Sequence, residues 1–450
     1  MTTTSELRHR PNGKAVPGDE FDAFPMASPG VADAMLNMQQ AGHPSGRPST
    51  VGSGPNSAHS LRHYTSSEAL WCKANPPSST TGSYIANMLD EEEKEETRTD
   101  IYMVLAFLGA WFYFLNRDLY YAYMAVTKES FGLLVTTMTH WWAPTVIRIS
   151  GDASTADQLS VTPDGRVECS FPDRMVMIAN HQIYTDWLYL WWVGYTNKPR
   201  MHGHIYIILK ESLKYIPIIG PGCMFFSFIF MSRKMAVDRP RLAHRLQKLR
   251  MKHEGPNGEE YLNPMWLLLF PEGTNLSDNG RVKSAAWADK IGVKDTAHLM
   301  LPRSTGTFFC LNELKGSVDY VYDCTVAYEG VPRGGFGEEY FTLSSTFFQG
   351  RGPKSVNLYW RRFALADMPL HDQTEFDAWL RERWYEKDAL LEQYVTTGRF
   401  PANGAGIKGH IETEVRTQYW WEFIKIFTWL GCFGFFLTSL TRFLLKFRDS

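Results

Sequence analysis

The sequence predicts an α/β domain whose sheet has helices on both faces. Short apolar runs alternate with helical patterns between residues 148 and 330, which is typical of a sheet covered by helices. Residues 1–97 are rich in Ser, Thr, Pro and Gly. Three apolar stretches lack Asp, Glu, Lys and Arg, at 101–116, 130–147 and 426–441. These observations divide the chain into a polar tail, membrane-attached segments and a folded domain.

The tail, residues 1–97, is predicted to be disordered. It closes in the acidic run 90–96 and has too few apolar side chains to offset the entropy lost on ordering. A regulatory tail and a tail with no role in activity both agree with this composition.

The first two apolar stretches predict a membrane helix pair over residues 98–147. Each is shorter than the roughly 20 residues of a full span, but Trp111, Trp141 and Trp142 lie near their ends. Tryptophan at such positions is typical of the bilayer interface. The alternative is a pair of helices buried in a soluble core.

The third apolar stretch, Ile426–Thr441, predicts a C-terminal membrane helix. Lys425 and Arg442 flank it, and basic flanks lengthen the effective span because their side chains reach the interface. Residues 411–450 are therefore expected to form a membrane anchor with a basic tail.

The central domain is expected over residues 148–330, and the more charged residues 331–410 are expected to extend it. The extension has a helical period around Phe376–Leu380. Within the central domain we predict helices at Leu209–Tyr215 and Arg241–His253, and strands at Arg166–Phe171, Met175–Ala179, Trp266–Phe270 and Tyr320–Val326.

The composition excludes several kinds of protein. The 450 residues carry 46 Lys and Arg against 48 Asp and Glu, a net charge of −2, whereas a general nucleic-acid binder would need a basic surplus. A mean hydropathy of −0.28 excludes a polytopic transporter. The six cysteines include no Cys-x-x-Cys pair and favour a reducing compartment. His202 and His204 have no third ligand at useful spacing, so no metal site is predicted.

His181 and Asp186 are the candidate catalytic residues. They lie in the segment Asn180–Trp187, directly after the predicted strand Met175–Ala179. Five residues apart, they cannot share one face of a helix, but a strand-to-helix turn can bring the carboxylate to the ring. A neutral His oriented by a carboxylate acts as a general base near neutral pH. The alternative is a surface turn with a capping Asp.

A second candidate segment, Phe270–Ser277, also follows a strand. Pro271 and Gly273 bracket Glu272 in a tight turn, which is expected to point the carboxylate out of the sheet edge. Backbone N–H groups of such a turn can face an anion or an oxyanion. The alternative is a plain strand–turn–helix connection with an N-capping Thr or Ser.

Together, N-H-x-x-x-x-D and the later F-P-E-G-T resemble the glycerolipid acyltransferase family. The blocks Leu209–Gly220 and Leu299–Gly306 fit the same family, and the resemblance extends from about residue 101 to about residue 400. It implies an α/β domain with a mixed sheet flanked by helices, carried on the membrane helix pair. It also implies acyl transfer from acyl-CoA to a lysophospholipid at a bilayer. The expected location is the endoplasmic reticulum membrane, or another intracellular membrane such as the mitochondrial one.

The sequence contains no G-x-S-x-G elbow and no Cys–His pairing, which favours direct transfer over an acyl-enzyme. His181 would take the proton of the acceptor hydroxyl, and Asp186 would hold the ring. Acyl-CoA is then a substrate, and no cofactor is expected. The resemblance implies two further sets of residues, namely Glu272, Gly273, Thr274 and Arg233 for the acceptor headgroup, with Lys210, Lys214 and Arg303 as weaker candidates for acyl-CoA or phosphate.

The residue at position 275 bears on the choice of acceptor. Many family members that acylate lysophosphatidic acid carry Arg directly after the Gly-Thr, where this chain has Asn275. The surrounding motifs resemble the branch that acts on lysophosphatidylinositol or lysocardiolipin, and lysophosphatidylinositol is the expected acceptor. Lysophosphatidic acid is the alternative, and an inert membrane scaffold that binds acyl-CoA is an alternative of another class.

The run Arg233–Lys252 is strongly basic, with leucines at helical spacing. It suits the phosphates of coenzyme A or an anionic membrane surface. A solvated helix face is the alternative.

Overall fold

The computed structural model describes residues 117–217, 219–255, 257–402, 410–427, 438–439 and 441–442. The predicted tail and the first apolar stretch, 101–116, lie outside the described residues, as does most of the stretch Ile426–Thr441.

Strands of the described residues form one large sheet and two small hairpins. In chain order they are β1 (Val146–Gly151), β2 (Leu159–Val161), β3 (Val167–Cys169), β4 (Arg174–Ala179), β5 (Ile205–Lys210), β6 (Ile229–Met231), β7 (Lys252–Glu254), β8 (Glu260–Leu262), β9 (Met265–Leu269), β10 (Tyr320–Tyr328), β11 (Ser355–Ala364) and β12 (Ile411–Glu414). The large sheet has the order β12-β1-β11-β10-β4-β9-β5-β6, and β2–β3 and β7–β8 are the hairpins.

Helices cover this sheet. In chain order the α-helices of the described residues are α1 (Arg117–Trp142), α2 (Asp186–Thr196), α3 (Ile219–Phe225), α4 (Met235–Leu249), α5 (Asp278–Ile291), α6 (Ser304–Leu314), α7 (Gly337–Tyr340) and α8 (Gln373–Thr397). Shorter 3₁₀ turns lie at Ala156–Gln158, Glu211–Tyr215, Leu365–Asp367 and Trp420–Ile424, with a π turn at Ser344–Phe348.

The sheet is mixed, and its parallel part positions the site. Strands β10, β4, β9, β5 and β6 are parallel to their neighbours in that group. Strand β11 runs antiparallel to β10, and β12 runs antiparallel to β1. The carboxyl ends of the five parallel strands therefore meet at one edge, where ligands bind in open α/β sheets.

Alternate side chains of β4 enter two separate cores. Met175 and Met177 join one core with Trp191 of α2, while Val176 and Ile178 join the other with Leu242 of α4. Both faces are thus covered, which explains why every residue of this strand after Arg174 is apolar. The predicted mixed α/β sheet flanked by helices is confirmed.

The predicted local elements are mostly confirmed. All four predicted strands form, as β3, β4, β9 and β10. The predicted helix Arg241–His253 forms as α4 but ends at Leu249. The helix predicted over Leu209–Tyr215 is wrong, because β5 continues to Lys210 and a 3₁₀ turn follows.

The structure describes the stretch 130–147, over which the second membrane helix is predicted. The stretch belongs to α1 and β1, and no helix in the described ranges is long and apolar enough to cross a membrane. Helix α1 instead packs on the domain, with Met124 and Leu133 in its core. The buried Lys128 places its ammonium group 3.9 Å from the ring centroid of Tyr206. Helix α1 therefore packs on the folded domain, and attachment of this stretch to a membrane stays a prediction.

The sheet crosses both predicted boundaries at 330 and 410. Strand β11 comes from the predicted extension and lies between β1 and β10. Strand β12 comes from the predicted anchor and pairs with β1. Residues 331–414 therefore complete the sheet of the central domain.

Candidate active site

His181 and Asp186 lie at the carboxyl edge, in the turn between β4 and α2. The Nδ1 atom of His181 is 2.8 Å from Oδ2 of Asp186. The same oxygen accepts hydrogen bonds from the backbone N–H groups of Gln182 at 2.6 Å and Ile183 at 3.1 Å. Asp186 is fully buried and begins α2, where the helix dipole favours a negative charge. The turn is therefore built around this carboxylate.

The imidazole of His181 is fixed in position but remains partly exposed to solvent. Its ring stacks on Phe270 with the centroids 4.3 Å apart, and its side chain is 19% exposed. With Nδ1 bonded to Asp186, the ring nitrogen Nε2 makes no hydrogen bond to the described residues. A histidine held in this way can take a proton from a bound hydroxyl group.

Strand β10 also contacts the turn between β4 and α2, and these contacts were not predicted from the sequence. The amide of Asn180 donates to the carbonyl of Val326 at 3.0 Å and accepts from its N–H at 2.8 Å. The hydroxyl of Tyr328 donates to Oδ1 of Asp186. Burial and the charge of Asp186 hold the pKa of Tyr328 well above its usual range, so it remains a donor. The order of the strands, and not the spacing along the chain, brings Tyr328 to Asp186.

Glu272 follows β9 at the same edge, but its carboxylate does not point outwards as predicted. It is 6% exposed, and its Oε1 lies 3.4 Å from both the backbone N of His181 and Nε1 of Trp384. Burial raises the pKa of Glu272 to about 8. The turn itself uses Gly273 at a φ of 77°, a conformation that favours glycine.

Helix α8 covers Glu272, and this too was not predicted. Its Trp384 donates to the carboxylate, and the ammonium of the fully buried Lys387 lies 2.6 Å from Asp323. The positive charge of Lys387 opposes the effect of burial on the pKa of Glu272. One residue on, Asp388 accepts from the backbone N–H of His298 at 2.7 Å. The predicted extension thus closes the site.

The other residues predicted for the acceptor headgroup meet at this turn. The guanidinium of Arg233 donates to the carbonyl of Gly273 at 2.6 Å. Arg233 has a φ of 66°, and the buried Asp238 holds this turn by accepting from the N–H of Lys234. The hydroxyl of Thr274 donates to the side-chain oxygen of Asn275 at 3.3 Å. After Asn275, Ser277 caps α5, as the alternative interpretation of this segment expected.

Asn275 has a partner that the sequence did not indicate. Its side-chain amide donates to the carboxylate of Glu338 at the start of α7. A carboxylate therefore lies next to the position at which many family members carry Arg.

The three weaker candidates are not brought together. Lys210 ends β5 at the carboxyl edge, whereas Lys214 lines a separate cavity beside α4. The backbone N–H of Arg303 donates to the carbonyl of Pro271 at 2.7 Å, and its guanidinium lies 4.7 Å from the ring centroid of Trp287. Among the described residues, no group of three His, Cys, Asp or Glu side chains could hold a metal ion.

Comparison with known proteins agrees with this architecture. The acyltransferase family matches residues 165–329, and the acyltransferase C-terminus matches residues 346–429. An uncharacterized acyltransferase of Schizosaccharomyces pombe is 37% identical over 321 residues, which cover 71% of this chain and 87% of that protein.

Two further relatives carry names for their substrates. The 2-acyl-1-lysophosphatidylinositol acyltransferase of Saccharomyces cerevisiae is 40% identical over 61% of this chain and 75% of its own length. Lysocardiolipin acyltransferase 1 of Danio rerio is 32% identical over 55% of this chain and 59% of its own length. The chain belongs to the glycerolipid acyltransferase family and is an acyltransferase.

Proposed function

We propose that this chain transfers an acyl group from acyl-CoA to a lysophospholipid, with lysophosphatidylinositol as the acceptor. The observation that carries the proposal is the 2.8 Å contact between His181 and a fully buried Asp186 at the ligand-binding edge of the sheet. The name of the yeast relative supports the choice of acceptor.

The reaction is a direct transfer. Nε2 of His181 takes the proton of the acceptor hydroxyl, and the oxygen attacks the thioester carbonyl. The carbon–sulfur bond then breaks, the thiolate leaves with the proton from the imidazolium, and the products are a phospholipid and coenzyme A. Asp186 orients the ring and stabilises its charge. The scheme needs no cofactor and no metal.

Glu338 argues for a phosphodiester acceptor over lysophosphatidic acid. Its carboxylate bonds to Asn275 beside the proposed headgroup residues. Like charges repel, and a phosphomonoester carries more negative charge than a phosphodiester. Lysophosphatidic acid is therefore the poorer acceptor in this proposal.

The proposed place of the reaction is the surface of an intracellular membrane, the endoplasmic reticulum or alternatively the mitochondrion. Support comes from a group of exposed aromatic residues that includes Trp141, whose ring lies 5.7 Å from that of the partly buried Phe423. Tryptophan in such groups is typical of bilayer interfaces. The group adjoins Ile426–Thr441, which together with 101–116 supplies the proposed membrane segments. Its other exposed members are Trp142, Tyr419, Trp420, Trp421 and Phe427.

The test is an acceptor panel. The purified full chain in detergent is given one acyl-CoA and each of lysophosphatidylinositol, lysocardiolipin, lysophosphatidic acid and lysophosphatidylcholine. We expect the highest kcat/KM with lysophosphatidylinositol and a loss of at least about 10² in turnover for His181→Ala. No transfer to any acceptor would leave the inert scaffold as the better account, whereas equal turnover in the variant would contradict the general-base role of His181.

A further inference from the structure

A cavity of about 100 Å³ lies away from His181, between β6 and α4. Its floor is apolar and includes Phe228, Ile229 and Phe230. Three cationic side chains line it as well, namely Lys214, Arg241 and Arg245.

The cavity carries a surplus of positive charge. Glu211 pairs with Arg241 at 2.8 Å and lies 3.9 Å from Lys214, so one carboxylate offsets part of the charge of three cations. Arg245 makes no ion pair with the residues that the structure describes. The apolar floor lowers the local dielectric and strengthens the attraction for an anion. A small anionic group is the ligand that this lining fits.

The position of the cavity limits which phosphate could reach it. His181 follows β4, and β6 is three strands away across β9 and β5. Neighbouring strands are about 4.8 Å apart, so the separation across the sheet is about 14 Å. The phosphate of a lysophospholipid is joined to the same glycerol as the attacked hydroxyl, which keeps it on the side of the sheet edge where the guanidinium of Arg233 reaches the carbonyl of Gly273. The phosphates of acyl-CoA lie at the far end of the extended pantetheine arm, which can span this distance.

We propose that this cavity binds a phosphoryl group of the acyl donor, and that Lys214, Arg241 and Arg245 set the affinity for acyl-CoA. The inference rests on the proposed function, because it takes acyl-CoA as the donor. The phosphoryl group could come from the acyl donor or from the acceptor headgroup, and these two sources lead to different changes in KM when the cavity is altered.

The experiment compares Arg245→Gln and Lys214→Gln with Lys248→Gln. Lys248 is an exposed residue of α4 that does not line the cavity, so its variant removes the same charge from the same region. KM is measured for acyl-CoA and for the lysophospholipid, and again with S-acyl-pantetheine, which lacks all phosphates. We expect the two cavity variants to raise the KM for acyl-CoA about three- to tenfold, with Lys248→Gln close to wild type. With S-acyl-pantetheine the variants and wild type should be equal.

Three outcomes would overturn the proposal. An equal rise for Lys248→Gln would indicate a general attraction of the basic helix for anions. A rise in the KM for the lysophospholipid instead would assign the cavity to the acceptor. A rise that persists with S-acyl-pantetheine would show that the phosphates are not recognised there. All three require wild-type transfer, whereas failure of the proposed function would show as no transfer by wild type.

Discussion

The turns after β4 and β9 each end at a buried carboxylate, but the surroundings of the two carboxylates differ. Asp186 accepts hydrogen bonds from His181, two backbone N–H groups and Tyr328. Glu272 has longer contacts, of 3.4 Å, with the backbone N of His181 and with Nε1 of Trp384, and burial raises its pKa to about 8. Asp186 therefore lies among hydrogen-bond donors, whereas burial favours the neutral form of Glu272. Two similar strand–turn motifs thus supply different electrostatics.

The largest expected effect comes from changing Asp186. Asp186→Asn keeps the size of the side chain but removes the negative charge that holds the Nδ1–H of His181. We expect kcat to fall by about 10²–10⁴, because the ring loses both its tautomer and its stabilised imidazolium. The measurement is steady-state turnover with one donor and one acceptor, with far-UV circular dichroism as the check on folding. A variant within about threefold of wild type would contradict the role given to Asp186.

Glu272→Gln tests the other half of the comparison, and its main effect should be on stability. The pKa of Glu272 rises from 4.5 to about 8 on folding, so the folded protein binds more protons between these values. Wild type should therefore lose stability relative to Glu272→Gln as pH rises from about 5 to 8, by at most about 5 kcal/mol. Below pH 4.5 the stabilisation that comes from the raised pKa of Glu272 is fully present.

Urea unfolding of both proteins at several pH values measures this difference. The informative result is how the difference in unfolding free energy between the two proteins changes with pH, because the other titrating groups contribute equally to both proteins and cancel in that difference. A difference that is constant from pH 5 to pH 8 would mean that Glu272 is charged throughout.

A smaller effect is expected from Trp384→Phe, which keeps a ring in α8 but removes the indole N–H beside Glu272. That donor favours the charged carboxylate, so its loss should raise the pKa of Glu272 further and cost about 0.5–1.5 kcal/mol. The pH range over which Glu272 causes a loss of stability should therefore extend to higher pH in this variant. Trp379→Phe, on the same helix and packed on Phe376, is the matched control and should leave that pH dependence unchanged.

Much of the site could be predicted because it is local in sequence. His181 and Asp186 are five residues apart, and the turn at Glu272 follows a recognisable strand. The contacts of Tyr328 with Asp186 and of Trp384 with Glu272 join residues 142 and 112 positions apart. They depend on the order of the strands and on the packing of α8, which spacing along the chain does not reveal.

Hydropathy alone likewise does not reveal how the stretch 130–147 packs. The stretch 130–147 lacks charged residues, but hydropathy does not distinguish a lipid environment from a protein core. In the described residues, helix α1 spans Arg117–Trp142 and includes Lys128 and Glu129, so the apolar stretch lies partly in a helix with charged residues and ends in β1. Three of its threonines donate to backbone carbonyls of the same helix, as Thr137 does to the carbonyl of Leu133 at 2.7 Å.

The smallest expected effect concerns selectivity and depends on the pair Asn275–Glu338. An Arg at position 275 could donate two hydrogen bonds to a phosphomonoester, but in this chain it would meet the carboxylate of Glu338 first. We therefore expect Asn275→Arg alone to shift the ratio of kcat/KM for lysophosphatidic acid over lysophosphatidylinositol only about two- to threefold. Adding Glu338→Gln releases the guanidinium and removes the repelling charge, so the double variant should shift the ratio about tenfold or more.

Glu338→Gln alone is the control, and its ratio should fall between those of wild type and the double variant. Competition between the two acceptors with one acyl-CoA gives the ratios directly. If the double variant gives the same ratio as wild type, the turn at Asn275 does not choose the headgroup, and selectivity must come from other residues around the acceptor.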